Sequence, residues 1–252
     1  MNFDKNIVLI TGTSGGIGSA IAQMFAENGA RIAVHYNENK EDAQTTLNLL
    51  DGDGHRIFQA DISDPDQAKD LVSSVIAEMG DLHILINNAG VFEPHPITDM
   101  SYSNWKQSWY RTLGVNLFGA SYVTFSAVEH MLCAKRGKIV NISSRGAFRG
   151  EPEAPAYAAS KAGLNAFSQS MAQSLAPHNI FVYIVAPGFV ETDMVVDSLS
   201  GSEGDAIRKQ SPLGRVAFPK EVANTVLFLA SEGTDYLTGC IVDVNGASYL
   251  RS

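Results

Sequence analysis

Short apolar runs alternate with longer amphipathic stretches along nearly the whole chain. Ile7–Ile10 leads into a helical pattern over Ile17–Asn28, and Ile32–His35 into another over Lys40–Leu50. Arg56–Gln59 is followed by Asp66–Met79. His83–Ile86 precedes an irregular region that turns helical over Trp105–His130. Lys138–Ile142 leads through a loop to Tyr157–Leu175, Phe181–Val185 leads to Glu221–Ala230, and Ile241–Val244 comes last. The apolar runs are continuous rather than alternating, as expected of strands buried on both faces. Strand and helix in turn predict an α/β fold: one doubly wound domain over residues 1–252, with seven parallel strands and helices on both faces of the sheet. Ligands of such sheets bind beyond the carboxyl ends of the strands.

Composition narrows the class. Hydrophobic residues make up 45% of the 252, enough for a sizeable core. A net charge of −9 argues against nucleic acid as a partner, since a phosphate backbone rewards clustered Lys and Arg. Cys133 and Cys240 stand far apart and form no C-x-x-C pair, so a reducing compartment is expected. The histidines show no metal-ligand spacing, and no metal is expected. No apolar stretch is long enough to span a bilayer, and Met1–Asn6 does not read as a signal peptide; the expected location is the cytoplasm.

The first strand runs into Thr11-Gly12-Thr13-Ser14-Gly15-Gly16-Ile17-Gly18 and then a helix. Glycines at such a junction let backbone N–H groups approach a phosphate, and the helix N-terminus adds partial positive charge. Further on, Tyr157 and Lys161 are four apart, on one face if the stretch is helical. A free tyrosine, with a pKa of about 10, is a poor acid–base near neutrality. A neighbouring ammonium would pull that pKa down. The strand Lys138–Ile142 ends in Ser143 and Ser144, whose hydroxyls could meet a developing oxyanion.

Thr11–Gly18 resembles the T-G-x-x-x-G-I-G motif of the short-chain dehydrogenase/reductase family. Asn87-Asn88-Ala89-Gly90 resembles its N-N-A-G, Tyr157–Lys161 its Y-x-x-x-K, and Pro187-Gly188 with Thr192 its P-G…T element. The resemblance runs from about Lys5 to the C-terminus and implies a Rossmann domain that interconverts a carbonyl and a secondary alcohol by hydride transfer. It implies Tyr157 as proton donor, Ser144 (thirteen residues earlier) as oxyanion partner, Lys161 as the residue that tunes Tyr157 and holds the nicotinamide ribose, and Asn116 as anchor of a water chain. Gly12, Ser14, Gly16, Ile17 and Gly18 would line the pyrophosphate. Asp61 would accept from the adenine amino group with Ile62 beside it. Asn88, Ala89 and Gly90 would run along the adenine ribose, and Pro187, Gly188, Val190 and Thr192 would face the nicotinamide. Asn87 and Trp109 are expected to serve the fold. Tyr36 stands where a carboxylate would exclude a 2′-phosphate. With Lys40 on the next turn, NADP(H) is expected over NAD(H), although Gly15 stands where many NADP-using members carry Arg or Lys and Asn37 where an Arg is common.

Ala186–Met194 and Pro212–Arg215 resemble the 3-oxoacyl-[acyl carrier protein] reductase group. That implies an acyl thioester substrate, an acidic carrier protein and a basic patch near the pocket, to which Lys135 and Arg136 could contribute. His178 and Val244-Asn245-Gly246-Ala247 depart from that group's pattern. A dehydrogenase of small ketones, sugars or other alcohols is the alternative, and a catalytically silent cofactor-binding regulator is the alternative from another class. Arg145, Arg149, Glu151 and Glu153 crowd the loop between Ser144 and Tyr157; they could receive an acidic substrate group or pair internally. Residues around 190–215, in particular Val195–Lys209, are expected to form a substrate lid. Members of the family are usually tetramers, so a homotetramer is expected, built through Trp105–His130, Tyr157–Leu175 and the last strand.

Overall fold

The computed structural model describes residues 1–192 and 201–251. Among the described residues, seven strands, all parallel, form one sheet in the order β3-β2-β1-β4-β5-β6-β7. They are β1 (Ile7–Ile10), β2 (Arg31–Tyr36), β3 (Arg56–Gln59), β4 (Ile84–Asn87), β5 (Gly137–Ile142), β6 (Ile180–Pro187) and β7 (Ile241–Val244). The order reverses between β1 and β4, and the crevice above that switch point is where such sheets take a dinucleotide.

Each central strand faces two cores. Val8 and Ile10 pack with Ile32, Val34, Ile84 and Ile86 beneath α1 (Gly16–Glu27), which brings Ile21 and Phe25. Ile7, Leu9, Leu85 and Ile139 pack on the other face against α3 (Pro65–Met79), which brings Leu71 and Val75. Burial on both sides leaves no polar alternation in these strands, which is why they read as continuous apolar runs.

Local chemistry sets the helix starts. Asn39 caps α2 (Lys40–Asn48), and Asp64 with Pro65 starts α3, which stops at left-handed Gly80. Ser101 caps α4 (Tyr102–Leu113). The helix expected over Trp105–His130 is instead α4, a π-helical turn over Gly114–Gly119, and α5 (Ala120–Ala134). A short helix, α6 (Gly146–Arg149), lies inside the loop after β5, and α7 (Pro155–Leu175) begins just before Tyr157. α8 (Gly201–Lys209) and α9 (Pro219–Ala230) complete the set. Neither α1 nor α7 has a side-chain cap at its start, and both open onto the carboxyl end of the sheet.

Candidate active site

The glycine turn joins β1 to α1 above the switch point. Gly12 is left-handed at φ 68°, and a Cβ there would lie 2.8 Å from Ala89 Cα. At Gly18 a Cβ would come 2.2 Å from the Gly12 carbonyl oxygen. Thr192 reaches the same turn: a Cβ on Gly16 would lie 3.0 Å from its Cγ2. The turn is tied to β4, because Asn88 Nδ2 donates to the carbonyls of Thr11 and Gly12, and Thr11 Oγ1 accepts from the N–H groups of Asn88 and Ala89. The bare, uncapped N–H groups at the start of α1 suit the pyrophosphate of a nicotinamide cofactor. The residues present therefore fit the cofactor expected of them.

His35 is a member of this site that the motifs do not mark. Its Nδ1 accepts the Gly12 N–H at 3.0 Å while its Nε2–H donates to Ala60 O, also at 3.0 Å. Burial lowers its pKa to about 4, and the neutral imidazole then props the turn from below. The one signal in the sequence is a histidine inside the apolar run of β2.

At the adenine end, Asp61 Oδ1 accepts from Ser63 N and Oγ. Ile62 buries its side chain against Gly119. The Tyr36 ring is also buried, with its hydroxyl near Gln59 Oε1, so β2 ends with no carboxylate. Asn37 and Lys40 are exposed beside it, Lys40 as the first residue of α2.

At the reacting end, β5 and α7 bring three side chains together. The Ser144 hydroxyl accepts the Gly146 N–H and faces the Tyr157 phenol, on which it acts to lower the pKa. Lys161 is buried, its Nζ donates to Ile142 O at 2.8 Å, and it lies 5.7 Å from the Tyr157 ring centre. Ser143 is turned inward toward Lys161 O. Asn116, in the π-helical turn, accepts from Val91 N and donates to Val91 O and Ser160 Oγ. Gly90 sits between Asn116 and Lys161: a Cβ there would lie 3.3 Å from Asn116 Oδ1 and 3.4 Å from Lys161 Nζ. Pro187 ends β6, Gly188 packs on Asn245, and Val190 is buried beside a bridge to Ala217. Asn87 donates to Asn141 of the neighbouring strand and to Thr124 of α5, a role in the fold as expected.

Two expectations change. Burial pushes the Tyr157 phenol up, with the Glu151 carboxylate adding to the rise and the Ser144 hydrogen bond opposing it. Lys161 is not among the influences that move the phenol, and burial lowers its own pKa to about 8. The second change concerns Lys135 and Arg136. They precede β5, whereas Ser144 follows it, so the length of the strand separates them from this chain's own pocket. Arg136 is also taken up by Asp81.

The arginines after Ser144 both have partners, one of them inside the loop. Arg145 is buried, stacks over Phe189, and donates to Ser248 Oγ and Gln210 Oε1. Arg149 pairs with Glu151 at 3.5 Å. Of the expected lid, residues 193–200 lie outside the described residues, and the rest includes α8. Among the described residues no His, Cys, Asp and Glu group could hold a metal ion, and no helix is long and apolar enough to cross a membrane.

A family model described as enoyl-(acyl carrier protein) reductase matches residues 12–247. The chain is similar to the 3-oxoacyl-[acyl-carrier-protein] reductase FabG of Staphylococcus aureus strain Mu50, with 36% identity over 96% of this chain and 97% of that protein. It is similar to FabG of Escherichia coli K12, with 35% identity over 99% and 100%. FabG of Thermotoga maritima is 34% identical over 98% of each chain.

Proposed function

Because the chain belongs to the short-chain dehydrogenase/reductase family, nicotinamide-dependent oxidoreductases of the carbonyl/alcohol pair, we propose that it reduces 3-oxoacyl thioesters carried on acyl carrier protein. The observation that carries the reading is Ser144 at the end of β5 facing Tyr157, with buried Lys161 one turn along α7, joined to near full-length similarity to three such reductases.

Gly12–Gly18, Asp61, Ile62, Asn88–Gly90 and Pro187–Thr192 would hold a nicotinamide cofactor, which would supply the hydride. Tyr157 gives its phenolic proton to the substrate oxygen, and Ser144 donates a hydrogen bond to that oxygen as charge builds there. The raised phenol pKa keeps Tyr157 protonated at neutral pH, the state that reduction needs. Lys161, held by Ile142 O, orients the nicotinamide ribose. Asn116 keeps the loop after β4 against α7 and anchors the path by which the proton is restored. NADP(H) is the preferred form, since nothing at Tyr36 or Asn37 repels a 2′-phosphate and exposed Lys40 can pair with it. After α8, Gln210 accepts from Arg145 beside the substrate end of the site. The protein works in the cytoplasm as a homotetramer.

The test is a panel of carbonyl substrates with NADPH and NADH, including a 3-oxoacyl thioester on carrier protein and small ketones and sugars. We expect the thioester and NADPH to give the highest kcat/KM. Tyr157→Phe should lower kcat at least about 100-fold while still binding NADPH. Near wild-type turnover in that variant, or a preference for NADH, overturns the corresponding part.

A further inference from the structure

The catalytic helix does not cap itself. Ala154, at its N-cap, offers no side-chain hydrogen bond, and Pro155 at the first position has no N–H. The next N–H, that of Ala156, is buried and finds its acceptor far back in the chain, on His95 Nε2 at 3.0 Å. Tyr157 follows immediately.

His95 is fully buried, and both ring nitrogens are engaged. Its Nδ1 lies 2.7 Å from Glu93 O, a contact that only an Nδ1–H can make. That fixes the tautomer, leaving Nε2 as an acceptor for Ala156. Its own backbone N–H donates to Glu153 O at 2.6 Å. One residue thus grips the chain on both sides of Ala154. The loop that carries it is anchored in turn: Glu93 pairs with Arg111 of α4 at 2.6 Å, and the Phe92 ring meets the Tyr157 ring edge-on with centroids 5.0 Å apart.

We propose that His95 is a positioning residue for the reaction: through the Ala156 N–H it sets the start of α7 and so the place of the Tyr157 oxygen relative to Ser144. It touches neither cofactor phosphates nor the reacting atoms. The inference rests on Tyr157 being the proton donor. Misplacing a reacting group by about 1 Å costs roughly 100-fold in rate, so a loosened helix start should show in kcat.

The test compares His95→Gln with His95→Asn. The Gln carboxamide oxygen reaches the place of Nε2 and can accept the Ala156 N–H; the shorter Asn cannot. Both are polar and remove the imidazole. NADPH titration and Tm establish that each variant is folded. The expected result is near wild-type kcat for His95→Gln. His95→Asn should fall about 10- to 100-fold in kcat, keep the Kd for NADPH, and show a displaced pH limb of kcat. Equal kcat in the two variants, or a loss confined to Tm, overturns the proposal. If Tyr157→Phe abolishes turnover while His95→Asn behaves as wild type, the proton-donor reading stands and only this inference fails.

Discussion

At the scale of single residues, Tyr157 sits between opposed influences. Burial raises its pKa, Glu151 raises it further, and the Ser144 hydrogen bond lowers it. The sign of one prediction follows. Glu151→Gln removes a negative charge that disfavours the phenolate, so the phenol pKa falls. With Tyr157 as the proposed proton donor, reduction needs the phenol protonated, and the basic limb of its kcat profile should move to lower pH. Oxidation needs the phenolate, so its acid limb should move the same way. Profiles in both directions that coincide with wild type would remove Glu151 from the account. Tyr157, Lys161 and Ser144 were all legible in the sequence, because their spacing is local to one strand end and one helix. The balance of charge and burial around the phenol was not, because it depends on what packs over them.

Among the elements, the joint at the amino end of the sheet illustrates how distant segments are locked. The Asp81 carboxylate accepts from His130 Nε2 of α5 at 2.7 Å, from Arg136 in the turn before β5 at 2.5 Å, and from the N–H of its neighbour Leu82. Burial pushes its pKa up, but these hydrogen bonds and the charges of His83 and Arg136 outweigh it and hold the carboxyl at about 2. A depressed carboxylate contributes stability above its unfolded pKa of about 4, and that contribution is lost as pH falls through about 2. The group is partly open to water, and screening leaves a contribution of about 1 kcal/mol. Asp81→Asn should therefore lower Tm at neutral pH by roughly 2–4 °C and flatten the acid dependence. An unchanged Tm would mean the joint contributes nothing net. The π-helical turn between α4 and α5 belongs to the same scale. Periodicity over Trp105–His130 reads as one helix, because the wide π turn carries no proline to mark it. The turn nevertheless carries buried Asn116 to Val91 and Ser160.

For the whole molecule, the outer face of α5 is unusual. Phe118, just before it, and Phe125 and Leu132 along it recur at seven-residue spacing and are 47%, 67% and 40% exposed. Tyr102 and Tyr110 of α4 are exposed as well, and the half-buried Trp105 and Trp109 rings lie 5.1 Å apart. An apolar stripe of this kind suits an association surface. It supports the proposed tetramer, with β7 at the open edge of the sheet as the second contact. Phe125→Glu should split the assembly at this face and halve the mass measured by light scattering, with the circular dichroism spectrum unchanged. Full mass retained would place the interface elsewhere.

The sequence by itself determined the order of strands and helices, the burial of the sheet on both faces, the glycine turn and the serine, tyrosine and lysine that meet at the carboxyl ends. Each of these is written in neighbours a few residues apart, where strand and helix periods operate. Only the tertiary structure decided which way Tyr157 shifts and which histidines brace the site. His35 under Gly12 and His95 at Ala156 are joined to their partners across many residues of chain. Burial and long-range hydrogen bonds, rather than local pattern, choose those partners.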